Sequence, residues 1–163
     1  MYYAGIGSRE TPGAVCARMQ QYGWQFAKHG FTLRSGRAIG ADSAFELGRD
    51  SALMGELARK EIYTADDAKR NPHWLEHAAL FHPAWEKCSP YAKLLHGRNS
   101  AVILGPYLNG PVDFVLCWTK DGKATGGTGQ ALRVAASKNI PVFNLFDADC
   151  EQRLQRWLGE AMR

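Results

Sequence analysis

The chain has 163 residues, 45% hydrophobic and 22% charged, with a net charge of +4. That length suits one domain with a sizeable core, and the composition excludes a disordered or collagen-like chain. No apolar run approaches the ~20 residues of a membrane span, and the opening Met1-Tyr2-Tyr3-Ala4-Gly5 lacks a secretory signal, so a cytoplasmic protein with no membrane partner is expected.

Tyr2–Ile6 is short and apolar and runs into Gly7-Ser8, the pattern of a buried strand ending in a turn. Thr11-Pro12 predicts a helix start, with threonine as N-cap and proline in the first helical position. Val15, Met19, Tyr22 and Phe26 give that helix one apolar face, and His29-Gly30 ends it. Phe31-Thr32-Leu33 reads as a second strand. A helix is expected from Asp42, whose carboxylate would cap it, to about Leu53, and Lys60–Thr64 is a third strand. Residues 65–90, rich in proline, tryptophan and histidine, predict an irregular excursion containing a short helix. Tyr91–Leu104 reads as a helix and Asp113–Thr119 as the clearest strand. Thr125–Gly129 is a glycine turn leading into a helix, Ile140–Phe146 a fifth strand, and Glu151–Met162 a closing helix. This alternation predicts a single Rossmann-like α/β domain over residues 1–163: a doubly wound, mainly parallel five-stranded sheet with helices on both faces.

In such a sheet ligands bind beyond the carboxyl ends of the strands. Three loops are expected there: Gly5-Ile6-Gly7-Ser8-Arg9, Ser35–Asp42, and Thr125–Gly129. Glycines allow close backbone approach, and free N–H groups at helix starts favour anions. The candidate ligand-binding residues are Gly7, Ser8, Arg9, Ser35, Gly36, Arg37, Gly40, Asp42, Arg98, Asn99, Gly126, Gly127, Thr128, Gly129 and Gln130. Arg9 is the most telling, because a cation at a helix start is unfavourable unless an anion sits beside it. Arg37 and Arg98 have solvation or an internal ion pair as competing roles. The dinucleotide fingerprint Gly-x-Gly-x-x-Gly and the Walker lysine are both absent.

Gly5-Ile6-Gly7-Ser8-Arg9-Glu10-Thr11-Pro12 resembles the VGSR-x-x-TP opening of the DNA-processing protein A (DprA/Smf) Rossmann domain. Ser35–Ala44 resembles that family's SG-x-A-x-G-x-D-x-A segment, Arg98-Asn99 its RNR motif with Ser100 in third place, and Gly126–Ala131 its later glycine turn. These matches run in order from Tyr2 to Asn144 and imply membership of the wider SLOG group. The resemblance implies a pocket for a phosphate-bearing nucleotide or nucleotide-derived small molecule, and a homo-oligomer. Its DprA branch implies single-stranded DNA as an alternative partner. The group's Lonely Guy-type enzymes imply a nucleoside-monophosphate N-glycosidase, a phosphoribohydrolase, as another alternative. Their PGGxGTxxE motif falls here on Thr125–Arg133, with Gln130 at the threonine and Arg133 at the catalytic glutamate. Asp42, Glu46 and Asp113 are then the carboxylates that could replace it.

No cofactor and no metal centre is expected. His73 and His77 lie four apart, but Trp74 stands where the metalloprotease pattern needs glutamate, so His73, His77 and His82 read as parts of a structural excursion. Trp74 and Trp85 either pack over the sheet or cover a nucleobase. Cys16, Cys88, Cys117 and Cys150 form no Cys-x-x-Cys pair and read as reduced, mostly buried thiols, with Cys117 and Trp118 in the core.

Overall fold

The computed structural model describes residues 1–52 and 59–163. Five strands, Tyr2–Gly7 (β1), Thr32–Ser35 (β2), Lys60–Ile62 (β3), Phe114–Trp118 (β4) and Val142–Asn144 (β5), form one sheet in the order β3-β2-β1-β4-β5. Every pairing is parallel. Seven α-helices occur among the described residues: Gly13–Lys28 (α1), Ala41–Asp50 (α2), Ala65–Arg70 (α3), Pro72–Ala79 (α4), Pro90–Leu104 (α5), Gly126–Ser137 (α6) and Cys150–Ala161 (α7). The fold is Rossmann-like, as expected.

Alternation along β4 shows why the sheet is covered on both sides. Phe114, Leu116 and Trp118 join Tyr3, Met19, Phe26, Phe45 and Leu154 under α1, α2 and α7. Val115 and Cys117 face the opposite way, joining Ala4, Ile6, Val102, Ile103 and Val134 under α5 and α6. A strand buried on both faces reads as a continuous apolar run, which is why residues 113–119 stand out in the sequence. Cys117 and Cys150 are buried and Cys16 and Cys88 half-buried, all four as free thiols.

Several expected boundaries move for local reasons. Helix α1 starts one residue late, because Thr11 donates its hydroxyl to Ser8 O (2.6 Å) and the N-cap falls on Pro12. Asp42 is no N-cap either: Gly40 holds that position, with φ 91°, and Asp42 lies in the first turn of α2. The expected end of this helix near Leu53 lies outside the described residues. The glycines of residues 126–129 form the first turn of α6 and not a loop before it.

The excursion is more ordered than its composition suggests. A reciprocal capping box between Thr64 and Asp67 starts α3, Pro72 opens α4, and a 3₁₀ turn spans Trp85–Lys87. Trp74 packs with Ala68 and Ala101 and donates its indole N–H to Pro106 O (2.8 Å), so burial and not base stacking is its role. Among the described residues no helix is long and apolar enough to cross a membrane.

Candidate functional site at the carboxyl edge of the sheet

From β1 the chain winds outward through β2 and β3, then returns so that β4 pairs with the other side of β1. The loops after β1 and β4 consequently leave toward opposite faces, and a crevice opens between them. Its floor is tied by Ser8 N–H donating to Trp118 O (3.2 Å).

Asp42 is the organising side chain. It is 3% exposed, and its two oxygens accept from Gly7 N–H (3.3 Å), Gly36 N–H (3.0 Å) and Ala38 N–H (3.4 Å). One carboxylate thus fastens the β1 loop to the β2 loop. Burial raises its pKa above the ordinary carboxylate value, against Arg98 and the N–H donors, which lower it. The glycines around it are sterically required. A Cβ at Gly7 would stand 2.6 Å from that of Ala41, and one at Gly40 would stand 2.9 Å from Ser8 O.

Helix α5 supplies the third side. Arg98 lies over Gly36 and donates to its carbonyl (2.7 Å), while Asn99 donates to Gly127 O (3.1 Å) in the first turn of α6. Gly7, Ser8, Gly36, Gly40, Asp42, Arg98, Asn99 and Gly127 are therefore linked into one edge. Gly126 and Gly127 are exposed, with no atom near where a Cβ would stand, and Thr128 beside them is half-buried. Arg9 is exposed and has no hydrogen bond or ion pair among the described residues.

Other candidates are committed elsewhere. The Ser35 hydroxyl is fully buried and donates to Gly5 O (2.7 Å). Arg37, in the left-handed region at φ 54°, makes a two-pronged pair with Glu46 (2.7 and 3.0 Å). Gly129 packs against the Ala124 backbone and is buried. Gln130 is fully buried, donating to Ala78 O (2.8 Å) and accepting from Arg133 (2.9 Å). Arg133 also donates to Phe81 O and Ala124 O, so it acts as a brace between α4's exit and the loop before α6.

The carboxylates that could replace the missing glutamate are likewise occupied. Glu46 is held by Arg37 and by Lys60 (2.9 Å), and its hydrogen bond with Arg37 leads in lowering its pKa to about 2. Asp113 accepts from Tyr2 N–H (2.6 Å) at the start of β1, the amino edge of the sheet and the wrong end for this crevice.

Sequence reasoning missed the outer wall. A cleft of about 290 Å³ beside the β2 loop is lined by Gly36, Arg37, Thr64, Ala65, Asp66, Tyr91, Leu95 and Arg98. Tyr91, Leu95 and Arg98 recur at four- and three-residue spacing, the signal that places them on one face of α5. Tyr91 is 63% exposed and presents an aromatic face where the excursion's tryptophans do not. The chain matches no family model, no curated protein and no solved structure.

Proposed function

We propose that the chain binds a phosphate-bearing nucleotide or nucleotide-derived ligand at this carboxyl edge, in the manner of a SLOG or DprA-like pocket. The observation that carries the reading is Arg9: a cation without a partner among the described residues, beside a backbone edge of close-packed glycines at the point where strand order reverses. The open first turn of α6 adds N–H groups with no side chain in the way. Tyr91, on the cleft beside Gly36, offers the base a surface. The glycosidase alternative lacks support, since Asp42, Glu46 and Asp113 are all engaged by other groups.

Calorimetry at physiological salt tests the reading, with adenosine and guanosine monophosphates, inorganic phosphate and a single-stranded oligonucleotide as separate titrants. Saturable binding of about one mononucleotide per chain is expected, and R9A weakens it more than ~10-fold with an unchanged melting curve. Unchanged affinity in R9A removes that residue from the site. Binding of the oligonucleotide alone, falling steeply with salt, replaces the nucleotide reading with single-stranded DNA.

A further inference from the structure

In the excursion and on α5, three side chains converge that the nucleotide reading does not use. His82 follows α4, Cys88 follows the 3₁₀ turn, and His96 lies on α5. One ligating atom from each falls within 4.8 Å of the other two. The Cys88 sulfur is 3.6 and 3.7 Å from the two ring nitrogens of His82, and the rings of His82 and His96 are 4.5 Å apart. His96 is 9% exposed, and its Nδ1 is buried with no hydrogen-bond partner. A buried ring nitrogen with no partner carries a desolvation cost, and a ligand that accepts its lone pair relieves it.

We propose that His82, Cys88 and His96 form a zinc site, with one coordination position left for water or an exchangeable anion. Metal–ligand bonds of about 2.0–2.3 Å in a tetrahedron set ligand atoms about 3.5 Å apart. The Cys88–His82 separation already meets that value, but the sulfur lies about equally far from both His82 nitrogens, so the ring must turn to aim Nε2, and the widest pair needs roughly an ångström of closure. A thiolate with two imidazoles is a borderline-soft set that suits zinc and not magnesium or calcium. Loading rearranges two weak local bonds. Ala84 N–H now donates to His82 Nδ1 (3.1 Å), and the Cys88 thiol to Ala84 O (3.7 Å). When His82 coordinates through Nε2, its proton moves to Nδ1 and the exposed Ala84 N–H turns to water. Cys88 loses its proton to solvent and binds as thiolate.

The ion would pin the turn after α4 to α5. The same turn is already tied to α6 by Arg133, which donates to Phe81 O, the residue beside His82, and to Ala124 O just before α6. Asn99 lies one turn beyond His96 and reaches Gly127 O. The zinc site thus backs the same α5–α6 junction that presents the open glycine turn, but it stands on separate residues.

The test is titration of the metal-stripped full chain with cobalt(II), followed by competition with zinc. One equivalent of cobalt should produce tetrahedral visible bands and a thiolate-to-metal charge-transfer band, both removed by zinc. C88S should abolish the charge-transfer band, and C88S and H96Q should each weaken zinc binding by more than ~100-fold, beyond the usual effect of an outer-shell change. H73A is the control and should behave as wild type, since His73 contacts Pro106 O instead. Alkylation gives a readout independent of absorption spectra: zinc should protect Cys88 from iodoacetamide and leave half-buried Cys16 reactive. Absence of a stoichiometric complex, a charge-transfer band that survives C88S, or equal protection of Cys16 overturns the proposal.

Discussion

Replacing Asp42 tests whether one buried carboxylate holds the carboxyl edge together. Asp42→Ala strands three N–H donors: Gly36, which is buried, and Gly7 and Ala38, which are half-buried. The buried donor costs about 1–3 kcal/mol when left unsatisfied, and each of the other two about 0.5–1.5 kcal/mol. Relief from burying a carboxylate offsets part of that sum, so a net loss of roughly 2–4 kcal/mol is expected. Asp42→Asn is gentler. Its amide oxygen can serve Gly36 and Ala38, but its NH₂ then faces the Gly7 N–H, at a cost of about 1–2 kcal/mol.

The pH dependence separates this account from a generic packing loss. Burial raises the folded-state pKa of Asp42 above its unfolded value, so between the two the folded chain holds a proton that the unfolded chain releases. Wild-type stability contributed by this group therefore falls as pH rises through that window, starting near the unfolded value of about 3.9. The side-chain amide of the D42N variant does not titrate. The stability gap between wild type and D42N, measured by urea denaturation from pH 4 to 8, should accordingly be widest near pH 4 and narrow upward. A gap that widens with rising pH would refute the reasoning, because it would mean the N–H donors and Arg98 outweigh burial.

Glu46 should behave in the opposite sense. Its pKa is lowered from 4.5 to about 2, so its contribution is present above the unfolded value and lost as pH falls from about 4.5 toward 2. E46Q should cost about 1 kcal/mol at pH 7, allowing for the exposure of Arg37, and its difference from wild type should vanish in acid unfolding curves. G40A should destabilise more than G36A in thermal melts. A Cβ at Gly40 meets backbone and the φ of 91° is itself unfavourable for alanine, together about 3 kcal/mol. At Gly36 the nearest atoms to the Cβ belong to the flexible end of Arg98, with Cζ at 2.5 Å, so about 1 kcal/mol and a displaced Arg98 are expected.

Strand positions were legible because burial on two faces leaves a signature in residue type, as in Phe114–Trp118. The loops were legible because Gly7 and Gly40 have no room for a side chain, a constraint written directly into sequence. What sequence does not encode locally is which polar group takes which partner. Asp42 precedes an apolar helical run and so looks like a cap, yet its oxygens accept from Gly36 and Ala38 in the loop before it and from Gly7 at the end of β1. Gln130 follows a glycine turn and looks available, but its side chain is fully buried and donates to Ala78 O. The cluster at His82, Cys88 and His96 was hidden for the same reason. His82 and Cys88 come from connecting turns and His96 from α5, whereas His73 and His77 drew notice through spacing alone.

Most arginines near the sheet are spent on support. Arg34 is spent on Glu61 and Gly110 O, Arg37 on Glu46, Arg98 on Gly36 O, and Arg133 on three acceptors. These bonds stiffen the edge before any ligand arrives, which lowers the ordering cost of binding there. Arg9 has no such restraint among the described residues, and ordering its side chain costs up to ~2 kcal/mol of rotamer entropy. Paired charge-assisted bonds return about 3–6 kcal/mol, so on the nucleotide reading Arg9 and a phosphate net about 1–4 kcal/mol, enough for a tenfold loss in R9A but no better than millimolar affinity alone. Useful affinity then requires a second contact on the same ligand, reaching from the phosphate toward Tyr91 in the cleft beside Gly36. On that reading, a stiff glycine edge with Arg9 unpaired among the described residues would select against bare phosphate and in favour of a phosphate carrying a flat, stackable group.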